Sequence, residues 1–310
     1  MRVYVKNKKE EIMGKYYILF NPHAGNGEAE AKAKELAEKH DALDSIVDMT
    51  TVNSYSELLA DPDRGVILLG GDGTLNRFIN DTYDLKLQNK IYICPIGSGN
   101  DFLRDLGKET STEPVEITKY LKDLPICEIE GRKQYFINGV GFGIDGYCCE
   151  VGDKQKAKNV KKINYTSIAI KGLLFHFKPR NAKITVDGKE YNFKRVWLAP
   201  CMHGKYYGGG MAPVPTQDRN SEDGNVSMMV YHGLGKLRAL ILFPKLFTGE
   251  HVKKEKNIKI LTGQEIVIEY AKPCAAQIDG ETVLNVSKAR YISSKLAVKE
   301  AANEEATVMA

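Results

Sequence analysis

The chain has 310 residues, enough for one large or two ordinary domains, each with its own core. Its hydrophobic fraction of 43%, its 27% of charged residues and its single Trp exclude wholesale disorder and any collagenous or repeat architecture. Net charge is +4, from 44 Lys and Arg against 40 Asp and Glu; this does not signal nucleic acid, and it leaves a modest attraction to anionic lipid surfaces open.

The cysteines, Cys94, Cys127, Cys148, Cys149, Cys201 and Cys274, lack zinc or redox spacing and read as reduced, mostly buried thiols. No apolar run reaches the roughly 18 to 20 residues that span a bilayer, and charges stand where a secretory signal needs apolar residues. The expected compartment is the cytoplasm.

In chain order, Met1 to Ile12 precedes a second candidate start at Met13, so residues 1–13 read as an extension. Tyr16 to Phe20 predicts a buried strand, Asn21 to Gly27 (NPHAGNG) a turn, and Glu28 to His40 a helix. Ile46 to Thr51 predicts a strand, and Ser54 with Glu57 has the spacing of a capping box for a helix through Leu59. Arg64 to Asp81, RGVILLGGDGTLNRFIND, then gives a strand at Val66 to Leu69, a glycine loop, and a helix whose buried stripe is Leu75, Phe78 and Ile79. Ile91 to Cys94 is a further strand, running into PIGSGNDF (Pro95 to Phe102) and a helical stripe of Phe102, Leu103 and Leu106. This alternation predicts an α/β domain over 14–141 with a doubly wound parallel sheet, whose ligands gather at the carboxyl ends of the strands.

Beyond Ile126 the pattern turns to strands: Cys127 to Ile129, Tyr135 to Gly139, Ile184 to Val186, Tyr191 to Leu198, Val226 to Tyr231, Ile258 to Leu261 and Ile266 to Tyr270. Asp187-Gly188 signals a hairpin. Helical segments interrupt at Lys161 to Phe177 and Gly235 to Phe247. With a boundary near Gly141 to Gly146, residues 142–300 form a β-rich domain, an antiparallel sandwich or barrel, and 301–310 a frayed tail.

The glycines Gly70, Gly71 and Gly73 can take positive φ and admit a close neighbour, so backbone N–H groups are expected to face an anion. Asp72 among them can reach a magnesium ion or its water shell, which together suggests a metal-nucleotide site. The loop lacks the third glycine of the dinucleotide pattern and the Gly-Lys-Ser/Thr ending of a P-loop. Asn21 to Gly27 is weak alone and gains from recurrence. Ser98, Asn100 and Asp101 stand between glycines and a helix start, where Ser and Asn side chains bind phosphate oxygens or cap the helix. Asp279 and Glu281 flank Gly280 in either an ordinary hairpin turn or a turn that presents carboxylates. Gly208 to Val226 reads as a structured loop. Lys161 to Phe177, with Lys154, Lys156 and Lys158 before it, and Leu237 to Phe247 read as core helices with a basic wet flank or as membrane contacts. His23, His203 and His232 have no metal spacing and read as structural or exposed.

The segments FNPHAGNG, LLGGDGTLNRFIND, PIGSGNDFLRDLG, FINGVGFGID and QIDGE, ordered from Phe20 to Glu281, together resemble the diacylglycerol kinase catalytic family, which includes bacterial lipid kinases and sphingosine kinases. The resemblance implies a two-domain kinase, related in fold to NAD kinase and phosphofructokinase, with ATP and Mg2+ in a cleft between an α/β domain and a β-rich sandwich-like domain. By the family's pattern Asn21 and Gly25 lie in the loop near the nucleotide and Thr51 ends a strand beside it. Gly70, Gly71, Asp72, Gly73, Thr74 and Asn76 hold the phosphates and metal. Ser98, where many bacterial members have Thr, lies on the phosphate path, with Asn100 and Asp101 beyond.

The resemblance also makes Asp279 the first choice of base for the acceptor hydroxyl, with Glu281 as base instead or as the group orienting Asp279 or a metal. Spacing does not separate these roles. Members often carry a DDG segment with a structural magnesium ion; here Glu222-Asp223-Gly224 keeps Asp223 and departs at its neighbour. The implied reaction transfers the γ-phosphoryl of ATP to a lipid hydroxyl, diacylglycerol giving phosphatidic acid, at the inner membrane face. Peripheral membrane contact and homodimerisation are family-level expectations, and no nucleic acid is expected. An NAD kinase-like enzyme, a kinase of sphingoid or other lipid alcohols, and a non-catalytic sensor on the same fold are the other readings. FNPHAGNG and PIGSGND favour the lipid kinase, and retention of Asp72, Asp279 and Glu281 disfavours the sensor.

Overall fold

The computed structural model describes residues 16–40, 42, 45–96, 99–158, 160 and 163–308; the expected N-terminal extension, 1–13, lies outside them. The chain divides into two compact units, one running up to Asn100 and including Lys108–Lys122, the other formed by Asp101–Gly107 and Asp123–Ala310.

In the first unit, strand β1 (Tyr16–Phe20) is buried at all five positions, as a strand covered on both faces requires. Helix α1 (Ala29–Lys39) follows and lays Ala29, Ala33, Leu36 and Ala37, one stripe at helical spacing, against Ile18, Phe20, Ile67 and Leu69 of the sheet. Strand β2 (Ile46–Asp48) is shorter than the run to Thr51 predicted. The Asp48 carboxylate accepts from the N–H and hydroxyl of Thr50, which turns Met49–Thr51 into a 3-10 turn. Helix α2 (Tyr55–Leu58) starts as expected, with the Ser54 hydroxyl accepting from the Glu57 N–H. Strand β3 (Gly65–Gly70) leads to helix α3 (Asp72–Thr82), and strand β4 (Ile91–Pro95) completes the parallel set β2-β1-β3-β4.

Next the chain gives helix α4 (Asp101–Asp105) to the other unit, then returns for β5 (Val115–Glu116), which pairs with β4 antiparallel, so the sheet is mixed rather than wholly parallel. Full burial of side chains such as Ile18 and Ile67 contributes about 1.5–3 kcal/mol each.

Gly25 sits at the carboxyl edge of this sheet with φ +59, and a Cβ there would stand 2.0 Å from Ile96 Cγ2. The NPHAGNG turn therefore rests directly on the end of β4.

The second unit carries strands β6 (Ile126–Ile129), β7 (Arg132–Tyr135) and β8 (Gly139–Phe142), then helices α5 (Ile144–Lys156) and α6 (Tyr165–Lys171). The hairpin β9 (Arg180–Val186) and β10 (Lys189–Val196) turns at Asp187-Gly188 as predicted, and short β11 (Cys201–Met202) and β12 (Val226–Tyr231) follow. Helix α7 (Lys236–Leu242), strands β13 (Ile258–Gly263), β14 (Glu265–Ile278) and β15 (Glu281–Ile292), and helix α8 (Ser294–Val308) close the chain.

Ten strands join in one antiparallel sheet that branches at β14. Residues 266–270 of β14 pair with β9, residues 276–278 pair with β8, and β15 runs along the other side. One side-chain cluster, including Phe142, Ile184, Met228, Ile268 and Tyr291, fills the sheet side, and another around Trp197 and Tyr231 packs under the helices.

Three expectations change. The boundary falls at Lys122/Asp123 rather than Gly141–Gly146, because β6 pairs with β15 and β8 with β14. The strand expected at Tyr135–Gly139 is a break between β7 and β8. The tail is helical through Val308, carried by Ala, Glu and Lys propensity rather than by an apolar stripe.

Gly25→Ala should destabilise the protein by about 2–4 kcal/mol, from overpacking plus the disfavoured φ. Urea unfolding reads this, and a midpoint unchanged from wild type would contradict the packing described.

Candidate functional site

The carboxyl edge of the parallel sheet gathers the loops after β1, β2, β3 and β4. Gly71 caps α3 with φ −106 and ψ −160, and none of Gly70, Gly71 or Gly73 takes positive φ. What the loop needs from glycine is contact distance. A Cβ on Gly71 would lie 2.3 Å from the Gly99 carbonyl oxygen, and the Asp72 N–H donates to that same oxygen at 2.9 Å. The GGDGT and PIGSGND loops are thus stitched through backbone, and one first-turn N–H expected to face an anion is already taken.

Thr74 and Asn76 are buried; Thr74 packs over Gly70, and Asn76 Oδ1 accepts from Asn80 Nδ2 at 3.2 Å. Accessibility is left to Gly71, Asp72 and Gly73, all half-buried. The Asp72 carboxylate lies in the first turn of α3, where the helix dipole favours negative charge.

Asn21 shapes its own turn, its side chain accepting from the His23 N–H at 3.0 Å. Thr51 donates its hydroxyl to the Asp48 carbonyl at 2.9 Å, within the 3-10 turn and not at a strand end. Ser98 lies outside the described residues, and Asn100 is half-buried. Asp101 does not join this edge. It is buried in the second unit, accepting from the Gly209 N–H at 2.7 Å, and burial raises its carboxyl above the usual range.

In the second unit Asp279-Gly280 forms the two-residue turn between β14 and β15, with Ile278 paired to Glu281 and Asp279 at φ 44. The Asp279 side chain is buried, and its two oxygens accept from the backbone N–H groups of Ile137 at 2.6 Å, Asn138 at 2.9 Å and Gly139 at 3.0 Å. Glu281, one residue past the turn, is exposed. From the other side the Arg219 guanidinium donates to the Ile137 carbonyl at 3.0 Å, to Asn138 Oδ1 at 3.1 Å and to Asp105 Oδ2 at 2.6 Å.

The turn is also held by Gln277, whose Oε1 accepts from the Gly280 N–H at 2.6 Å. Beside Gln277 lies Asp145, fully buried, accepting from Tyr207 Oη at 3.3 Å and the Gly146 N–H at 2.9 Å. Burial pushes Asp145 up to about 6, partly offset by these hydrogen bonds. His203 is held down to about 3 by burial and by Arg219, so it is neutral. Sequence reasoning assigned no role to Arg219, Gln277 or Asp145. The Gln of QIDGE and the Asp of FGID were visible signals, whereas Arg219 in a loop carried none.

The sequence model of the diacylglycerol kinase catalytic domain matches residues 15–126, and that of the YegS C-terminal NAD kinase beta sandwich-like domain matches residues 138–297, more than half of the chain. The chain belongs to the diacylglycerol kinase/YegS-like lipid kinase family.

Among relatives, a Bacillus subtilis (strain 168) protein provisionally named as lipid kinase YtlR is 23% identical over 91% of this chain and 97% of its own. A Staphylococcus aureus (strain JH9) protein provisionally named as a lipid kinase is 25% identical over 71% of each chain. A solved Bacillus anthracis str. Sterne structure, described as a diacylglycerol kinase, shares the fold with a TM-score of 0.61 at 23% identity, covering 91% of this chain and 95% of that one.

Lipid kinases of this family are expected to use magnesium, and the donors here fit one mode of binding and not another. No group of three His, Cys, Asp or Glu among the described residues could hold an ion unaided. Asp72 alone suits an ion shared with nucleotide phosphates, since Mg2+ is commonly held by one or two carboxylates plus phosphate oxygens and water. Asp223 does not fit. Its carboxylate closes its own turn, accepting from the Ser221 hydroxyl and from Asn225 N and Nδ2 at 3.0 Å each, and these bonds lower its titration.

A carboxyl raised in the folded state favours the proton-bound fold, so the stability Asp145 contributes is present below about pH 4 and lost as pH rises through about 6. Asp145→Asn, which cannot ionise, should gain stability relative to wild type by about 2–3 kcal/mol between pH 4.5 and 7.5. Paired urea titrations isolate this from the opposing contribution of His203. A stability difference independent of pH would contradict it.

Proposed function

We propose that this chain is an ATP-dependent, magnesium-requiring lipid kinase that transfers the γ-phosphoryl group to the hydroxyl of diacylglycerol, giving phosphatidic acid. The observation that carries the reading is the stitched Gly71-Asp72-Gly73 turn at the carboxyl edge of the parallel sheet, within the match to the diacylglycerol kinase catalytic domain. A turn of this kind lets phosphates approach backbone closely while one carboxylate reaches the accompanying cation. When bound, the ion would neutralise charge on the transferring phosphoryl group.

The acceptor hydroxyl must lose a proton as its oxygen attacks phosphorus, and a carboxylate is the usual acceptor in kinases. Asp279, the first choice from sequence, has both oxygens committed to three backbone donors. That supports Glu281 as the proton acceptor and Asp279 as the positioning residue that fixes the turn carrying it. Retention of both carboxylates is what an active kinase requires.

Incubation with labelled ATP, Mg2+ and a panel of diacylglycerol, sphingosine, other lipid alcohols and NAD should label diacylglycerol. Label on NAD alone would sink the lipid reading. Glu281→Gln should lower kcat by about a hundredfold or more with little change in unfolding midpoint, as expected for a lost general base. Asp279→Asn should lower both. Near-normal turnover in Glu281→Gln, with a stably folded but inactive Asp279→Asn, would return the base to Asp279.

A further inference from the structure

Phe175, Leu237 and Ile241 are the most exposed large hydrophobic residues among those described, at 69%, 66% and 65%. They come from two segments that touch. The π-helical turn Gly172–His176 continues α6, and Lys236 at the start of α7 donates its ammonium to the Leu174 carbonyl at 2.8 Å. Leu173, Ala239 and Leu242 point inward and anchor both segments in the cluster around Trp197. Leu237 and Ile241, one helical turn apart, point outward on a face that a water-facing helix would make polar. Phe247 and Ile170, in the same two stretches of chain, are exposed as well.

Within the two stretches that carry this patch, the charge has one sign. No Asp or Glu occurs between Asp153 and Asp187, nor between Tyr231 and Glu250, although the chain as a whole has 40 of them. Lys171, Lys178, Lys236 and Arg238 are exposed in these stretches. Exposed aromatic and aliphatic side chains beside exposed cations match the interface of an anionic bilayer, where apolar groups enter the acyl boundary and cations meet headgroup phosphates.

We propose that the apolar face of Phe175, Leu237 and Ile241, with the exposed cations beside it, docks this protein on an anionic lipid bilayer. Its purpose rests on the lipid kinase reading, since a diacylglycerol hydroxyl lies at a membrane surface. Its test does not.

The full chain is sedimented without ATP with vesicles of phosphatidylglycerol and phosphatidylcholine, or of phosphatidylcholine alone. Wild type should partition onto the anionic vesicles and lose at least about tenfold of that partitioning in high salt. The variant carrying Phe175→Ser, Leu237→Ser and Ile241→Ser should lose about thirtyfold or more. The charge variant carrying Lys171→Glu and Arg238→Glu, which keeps the Lys236 bond and all three apolar residues, should lose at least about tenfold. Both variants should keep the wild-type unfolding midpoint and turnover on a short-chain, water-soluble diacylglycerol.

Failure of wild type to bind anionic vesicles, or binding unchanged in both variants, would overturn the proposal. So would a wild-type dimer that the serine variant renders monomeric, because the face would then be an interface between copies. Vesicle binding lost in both variants while no lipid is phosphorylated would support this surface and sink the kinase reading separately.

Discussion

The segment Ile137–Gly139 is held on both sides by charge, and the second unit is arranged around that clamp. Asp279 accepts from its N–H groups, Arg219 donates to its Ile137 carbonyl and Asn138 amide oxygen, and the His203 and Gly204 N–H groups donate to the Asn138 carbonyl. Buried backbone that is not in a ladder must find partners elsewhere, and here it finds carboxylate and guanidinium. Arg219 also pairs with Asp105, which ties α4 into the same assembly. Removing one partner of such a buried charge pair typically costs about 3–5 kcal/mol, because the other is left without compensation.

This constraint explains a division of labour at the QIDGE turn. Asp279 and Gln277 commit polar atoms to fixing the turn, and Glu281 remains exposed at the surface. Asp145 adds a buried carboxyl that hydrogen-bonds Gln277 beside the turn. On the other unit the logic is the same. Thr74 and Asn76 are buried, while Gly71 to Gly73 are half-buried. In both loops several of the motif's polar side chains are committed to holding the fold.

Much of this was legible in the sequence. Buried runs such as Val66 to Leu69 and stripes such as Leu75, Phe78 and Ile79 announce their elements because one period dominates them, and the parallel sheet with its loops at one edge follows. The β-rich part was read less well. β15 escaped because Asn285 takes φ 59 and the pairing with β14 shifts register between Glu269 and Ala276, which breaks the alternation. The boundary was misjudged because β6 and β8 join the sheet through β15 and β14, partners more than a hundred residues later in the chain. Which members of the motifs are committed to structure was not legible, since that depends on long-range hydrogen bonds such as Ile137 to Asp279.

Amide hydrogen exchange at Ile137, Asn138 and Gly139 tests the clamp most directly. If Asp279 is committed to these donors, all three amides exchange only through global unfolding in the wild type and lose protection together in Asp279→Asn. Fast exchange at these amides in the wild type would contradict the account and leave the Asp279 carboxylate available for chemistry.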